Sequence, residues 1–370
     1  MCNIAGYVGE KRAAPILLEM LRRQQDFDGG VCTGIATIYN GRIYYRKIVG
    51  DVDTLIRTTD ALTLPGNIGI AHTRPGGNAE SYSMAHPFVS YDETMAAVTN
   101  GTARGKNVAQ KTSELRNMLD ELGCVFRDEA YIENPSDATK ALKNGAFVSG
   151  AAVRMEGVKY YHEKEGMPLT AAMARVDDEL YKDGVIEIMD VHTPDRLYVL
   201  RTSRPAITLN TNDGMYIATT RFAFPDDAVG EVKQLPVMYP CEIFKDKILI
   251  KEEHKMQSEQ ISEITDYTLE EGYKRIEKML LGKKDDPVHF DTLELTVWRE
   301  MRDLFPGDHT LIQDARLVYD VLWRLKCEGR LKMKKLLVAR RNIPVEEGDY
   351  ANDARFIPGQ KIRNFMWIDN

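Results

Sequence analysis

A chain of 370 residues is longer than one compact core usually holds, so two domains are expected. With 43% hydrophobic and 28% charged residues the composition is that of a globular protein. A net charge of −7 excludes a global pull toward nucleic acid or anionic lipid, and no apolar run approaches the length of a membrane span.

Position 2 is a cysteine, and the strand-like stretch Asn3 to Gly9 follows it directly. The N-terminus has no basic segment leading into an apolar run, the mark of a secretory signal. Cys2, Cys32, Cys124, Cys241 and Cys327 lie far apart and form no C-x-x-C pair. Neither a zinc site nor a disulfide framework is therefore expected. The expectation is a reducing, cytoplasmic setting with no metal and no cofactor. Residues 12–25 carry helical spacing, with Ile16, Leu17, Met20 and Leu21 on one face. After the turn at Asp28-Gly29-Gly30, strands over 34–39 and 42–48 meet at Asn40-Gly41, a strong hairpin signal. A short apolar strand over 67–71 delivers His72-Thr73-Arg74 to its end, and Pro75-Gly76-Gly77-Asn78 forces an irregular loop. A strand over 94–99 ends in Asn100-Gly101-Thr102, and a helix over about 107–122 follows. The stretch 133–137 reads as a turn into a short helix, with Ser136 or Asp137 as N-cap.

A helix over 170–183 precedes strand-like pieces at 184–190, 196–201, 206–209, 215–220 and 241–250. This mixture is an α+β or layered pattern. There is no G-x-G-x-x-G, which disfavours a nucleotide-binding doubly wound sheet. The composition turns polar near residue 252, giving expected domains of 1–252 and 253–370. Helices are expected over 257–281, 291–304 and 310–329, and a strand over 331–339. Two helices followed by a basic β-ribbon resemble a winged-helix module. The basic stretch 316–341 could meet a phosphate backbone, although a solvated or protein-facing surface is the commoner outcome.

Once Met1 is trimmed, Cys2 would hold a thiol and an α-amine on one residue, a nucleophile carrying its own base. A free thiol with a pKa of ~8.5 is only a few per cent ionised at neutral pH, so such a base matters. A lone cysteine is more often a small buried hydrophobe, and Arg74, Asn100-Gly101 and Asp137 each have bland readings as surface cation, turn and helix cap. Together they supply the parts of amide hydrolysis. Cys2 can attack a carbonyl, and the Asn100 side chain with the Gly101 N–H can hold the oxyanion. Arg74 can grip a carboxylate, and Asp137 can hold an ammonium.

At this point the sequence resembles the class II glutamine amidotransferases, which are N-terminal nucleophile hydrolases, and within them the glutaminase half of glucosamine-6-phosphate synthases. The matching stretches are M-C-N-I-A-G-Y-V-G, I-L-L-E-M-L-R-R, G-I-A-H-T-R, A-H-P, N-G, R-T-S-R-P-A-I-T-L and M-Y-I-A-T-T, spread over roughly residues 2–250. The resemblance implies a four-layer α/β/β/α sandwich, followed here by a smaller, mainly helical, winged-helix-like C-terminal domain. It implies hydrolysis of glutamine to glutamate and ammonia through a thioester on Cys2, with Asn100 and Gly101 as the oxyanion hole. Arg74, Asp137, His72 and His86 are the implied substrate-binding residues. Two loops depart from the family pattern. Pro75-Gly76-Gly77-Asn78-Ala79 stands where Trp-Ala-Thr-His-Gly is usual, and Asp28-Gly29-Gly30-Val31-Cys32-Thr33-Gly34 replaces R-G-x-D-S-x-G.

About 118 residues follow position 252, too few for a pair of sugar-phosphate isomerase domains. The expected partner is therefore a separate ammonia-accepting chain, and self-assembly into a homo-oligomer is left open. Two other functions stay open from the residues alone. One is hydrolysis of a different amide. The other is a regulatory or binding protein that senses an amino acid on a degenerate amidotransferase fold.

Overall fold

The structure is a computed structural model that describes residues 2–75, 82–101, 107–130, 142–180, 183–252, 261–307, 309–338, 344–347 and 361–370. In chain order, β1 (Asn3–Gly9) leads into α1 (Ala13–Asp28), then β2 (Cys32–Tyr39), β3 (Arg42–Val49), α2 (Val52–Thr58) and β4 (Ile68–Arg74). Next come β5 (Phe88–Val89), β6 (Met95–Gly101), α3 (Val108–Glu121), β7 (Glu129–Ala130), β8 (Phe147–Val148), α4 (Gly150–Glu163) and α5 (Leu169–Leu180). Strands β9 (Gly184–Asp190), β10 (Arg196–Arg201), β11 (Ile207–Thr211), β12 (Gly214–Ala218), β13 (Glu231–Gln234), β14 (Cys241–Phe244) and β15 (Ile248–Ile250) follow. The remainder is α6 (Asp266–Leu280), β16 (Val288–His289), α7 (Phe290–Glu300), α8 (Asp314–Cys327), β17 (Lys332–Val338), β18 (Pro344–Glu347) and β19 (Lys361–Trp367).

Two antiparallel sheets carry the first part of the chain. One has seven strands in the order β13-β11-β12-β1-β4-β2-β3, the other six in the order β15-β14-β10-β9-β6-β5. The β2–β3 hairpin turns at Asn40 and Gly41, with φ of 49° and 72°, the positive pair that a two-residue turn of this hand requires. Because side chains alternate along a strand, Ile4 and Val8 of β1, Ile68 and Ile70 of β4, Val98 of β6 and Val185 and Met189 of β9 share one core between the sheets. On the outer side of the larger sheet, α1 and α2 cover Ala5, Tyr7, Ile35 and Ala71. On the outer side of the smaller sheet, α3, α4 and α5 cover Ala97, Ile186, Ile188 and Leu200. The sheets approach closely at Gly6, where an added Cβ would lie 1.8 Å from Oε1 of Glu187. Burial raises the pKa of that carboxyl well above its usual range.

Most expected elements form, with shifted ends. The single strand expected over 241–250 is instead the hairpin β14–β15, broken at residues 245–247. The described part of the helix expected from 257 starts at Asp266, because Thr265 and Thr268 form a capping box there. The helix expected over 291–304 ends at Glu300, and residues 302–304 are a 3₁₀ turn. The basic β-ribbon is part of a four-stranded antiparallel sheet in the order β16-β19-β17-β18.

Helices α6, α7 and α8 pack with β19 around Ile276, Phe290, Leu293, Val318, Leu322 and Met366. That core continues into the first part of the chain through Phe27 and Phe222. The Phe27 ring lies 4.8 Å from Phe222 and 5.7 Å from Tyr319, centroid to centroid. The segment after residue 252 is thus fused to the first by a shared apolar core. No described helix is long and apolar enough to cross a membrane.

Candidate active site

Alternation along β1 puts Cys2 on the same side as Ile4, Gly6 and Val8, facing the gap between the sheets. Residue pairing brings Ile4 of β1 opposite His72 of β4, and Cys32 of β2 opposite Arg74. Across the gap, β6 ends at Asn100 and Gly101, paired with Val185 and Gly184 of β9. A hydrogen bond joins the two sheets here: the backbone N–H of Cys2 donates to Oδ1 of Asn100 at 3.2 Å. Cys2 is partly buried, and Asn100 is fully buried. Nδ2 of Asn100 is enclosed and has no acceptor among the described residues. A buried amide N–H without a partner is costly and rare, so its occurrence on the residue that accepts from Cys2 is a notable feature.

The strand behind Cys2 is tied down by buried polar groups. Nδ2 of Asn3 donates to the carbonyls of Gln24 and Asp28 at 3.1 and 2.9 Å. Nε2 of Gln24 returns a bond to the Ile4 carbonyl at 2.7 Å, and Ile4 N–H donates to Oγ1 of Thr219 at 2.9 Å. Oγ1 of Thr73 accepts from Gly30 N–H at 2.8 Å and contacts Oγ1 of Thr33 at 3.0 Å. Val31 N–H donates to the Arg74 carbonyl at 3.0 Å. The turn over 28–31 therefore supports both the Cys2 strand and the Arg74 strand. Arg74 itself is partly buried, and its Nη1 donates to the Met84 carbonyl at 3.0 Å.

His72 and His86 stack, with ring centroids 3.9 Å apart and planes 16° from parallel. His72 is fully buried, and neither of its ring nitrogens makes a hydrogen bond of good geometry among the described residues, although the Thr99 backbone lies close by. Burial, helped by the nearby Arg74 charge, lowers its pKa to about 3, so the ring is neutral. Nδ1 of His86 accepts from Thr99 N–H at 3.1 Å, one residue before Asn100. That acceptance places the proton of a neutral His86 ring on Nε2.

Cys2, Arg74, Asn100 and Gly101 thus stand at one end of the intersheet gap, with His72 and His86 in a layer enclosed beneath Arg74 and Asn100. Asp137 lies outside the described residues, as does most of the loop over 75–79. Asn3, Gln24, Thr33 and Thr73 were not singled out from the sequence. Their signal is a polar side chain at a position of otherwise buried elements. Among the described residues no group of three or more His, Cys, Asp or Glu side chains could hold a metal ion. A surface cleft of about 1200 Å³ lies elsewhere, lined by residues such as Glu114, Tyr161, Arg175 and Glu242, and it includes none of these site residues.

No family model matches the chain. It is 35% identical over 134 residues to the glutamine–fructose-6-phosphate aminotransferase of Pyrococcus horikoshii, covering 36% of this chain and 21% of that one. It is 28% identical over 220 residues to the same enzyme of Caldanaerobacter subterraneus, covering 59% of this chain and 31% of that one. The chain therefore spans between about a fifth and a third of the curated relatives it matches. In fold it is similar to the glutamine phosphoribosylpyrophosphate amidotransferase from B. subtilis, with a TM-score of 0.53 at 18% identity over 72% of this chain and 52% of the other. A structure described as the allosteric regulatory enzyme of purine biosynthesis gives 0.54 at 15% identity over 98% of this chain and 71% of the other. In sequence, over part of its length, the chain resembles glutamine–fructose-6-phosphate aminotransferases, and in fold it resembles a glutamine phosphoribosylpyrophosphate amidotransferase.

Proposed function

We propose that this chain is a glutamine amidotransferase subunit that hydrolyses glutamine and hands the ammonia to a separate acceptor chain. The observation that carries the reading is the corner where Asn100 accepts from the Cys2 nitrogen and keeps a buried, unpaired Nδ2. After removal of Met1, an α-amine held by Asn100 through one N–H keeps its lone pair for the thiol proton. The sulfur attacks the side-chain carbonyl carbon of glutamine, and the oxygen takes the negative charge facing Nδ2 of Asn100 and the Gly101 N–H. Collapse breaks the C–N bond, and the proton held by the α-amine leaves with the nitrogen as ammonia. A thioester remains, which water cleaves to glutamate, restoring the thiol. Arg74 binds the substrate carboxylate and Asp137 its ammonium. His72 and His86, enclosed and stacked, brace the ends of β4 and β6 rather than touch substrate.

We also place the fold in the four-layer α/β/β/α class, with 1–252 as the amidotransferase domain and 253–370 as an appended domain. A nucleic-acid role for 316–341 finds little support, since Arg316, Arg324, Arg330 and Lys335 pair with Asp320, Glu270, Glu277 and Asp26. The decisive measurement is glutamate release from glutamine by the wild-type chain and by Cys2→Ala. Loss of release in the variant is expected, and mass spectrometry should find Met1 absent from the active chain. Equal release by both proteins would end the reading.

A further inference from the structure

Arg363 belongs to β19, more than three hundred positions from Cys2 in sequence, yet its guanidinium is fully buried against the back of the candidate site. Nη1 donates to the Gly29 carbonyl at 2.9 Å and reaches the Gln25 carbonyl at 3.5 Å. Nη2 donates to Oδ1 of Asp28 at 3.2 Å. A second cation of the same sheet, Lys335, pairs with Asp26 at 2.6 Å. These contacts cap the C-terminal end of α1, where carbonyls need donors and cations are favoured.

The groups that Arg363 holds are those from which the site hangs. The Asp28 carbonyl accepts from Asn3, the residue after Cys2. Gly30 donates to Thr73 and Val31 to the Arg74 carbonyl. One planar guanidinium from the C-terminal segment thus fixes the turn that sets the spacing between the thiol and the carboxylate-binding cation. Lysine cannot reproduce this, having a single charged nitrogen in place of a planar fork.

We propose that Arg363 is a positioning residue for glutamine hydrolysis, acting through the 28–31 turn on Cys2 and Arg74; this rests on the amidotransferase reading. Misplacing reacting groups by about an ångström can cost ~10²-fold. In the full chain, Arg363→Gln is expected to lower kcat/KM for glutamine by roughly 10–100-fold, with KM raised as well as kcat lowered. Arg363→Lys is expected to recover only part of that loss. Alkylation of the thiol by iodoacetamide, which does not depend on glutamine recognition, should fall less than alkylation by a glutamine-like chloroketone. A residue that merely stabilises the fold would lower the melting temperature and leave KM and kcat unchanged below it. Unchanged kinetics in folded Arg363→Gln would overturn the proposal. Should that variant not fold, wild-type kinetics in both Arg363→Lys and Asp28→Asn would overturn it equally. A wild-type chain that releases no glutamate rejects the amidotransferase reading and this proposal with it. An active wild type with unaffected variants rejects this proposal alone.

Discussion

Asn100 does two things with one carboxamide. Its oxygen accepts from the Cys2 nitrogen, and its enclosed nitrogen has no acceptor among the described residues, the donor that the proposed reaction assigns to the substrate oxygen. Asn100→Ala removes both, and Asn100→Asp keeps the acceptor while replacing the donor. Both are expected to lower kcat for glutamine by ~10²–10³, the usual effect of losing one oxyanion donor. Steady-state kinetics on the folded variants check this, and a fully active Asn100→Asp would show that Nδ2 is not the donor. The nearness of Cys2, Arg74 and Asn100 is legible because each lies at the start or end of a short strand whose pattern is plain in the sequence. Their supports, Asn3, Thr73 and Gln24, are not, because a buried polar residue has no periodic signature until its partner is known. The partners lie 20 or more residues away.

At the scale of elements, α4 shows where pattern reading fails. It is enclosed on most sides, with Ala151, Val153, Arg154, Met155, Glu156 and Val158 all buried, so no polar face marks it as amphipathic. Its buried Arg154 is answered by Asp177 of α5 in a two-pronged pair, which only the folded arrangement supplies. Glu156, by contrast, has one oxygen without a partner among the described residues, and burial raises its pKa from 4.5 to about 8. Its folded state therefore holds a proton that the unfolded chain releases above about 4.5. The stability this gives is complete below that value and is lost as pH rises through about 8. Glu156→Gln should melt like wild type near the acid end of that window and hotter than wild type at its alkaline end. Thermal melts across the window test this, and parallel curves for the two proteins would contradict it. The β2–β3 hairpin and α1 are easier to read, the hairpin from its Asn40-Gly41 turn and α1 from the helical spacing of Ile16, Leu17, Met20 and Leu21 ahead of the Asp28-Gly29-Gly30 stop.

For the whole molecule, the break in composition near residue 252 suggests separable parts, but the seam is as tightly built as a core. Arg204, fully buried after β10, pairs with Asp183 at 3.0 Å on its own side and with Glu294 at 2.6 Å and Asp314 at 3.6 Å on the other. Arg201 shares Gln313, whose Nε2 donates to the Ser262 carbonyl at 2.7 Å. A 1–252 fragment loses the Glu294 and Asp314 partners of Arg204 and uncovers Phe27 and Phe222, and is therefore expected to be less stable than the full chain. Urea unfolding of the two proteins measures the difference, and an equally stable fragment would mean that the seam contributes little. Local patterns could not reveal this joint, because its members come from widely separated stretches of sequence.

All three tryptophans, Trp298, Trp323 and Trp367, lie in the last quarter of the chain. Trp323 stands edge-on to Phe222, 5.2 Å between ring centroids and 87° between planes. Tryptophan emission, excited selectively, is consequently blind to most of the larger part and is placed to watch the boundary. A red shift that precedes loss of far-ultraviolet ellipticity would mark the two parts coming apart before either one melts, without any dye or label.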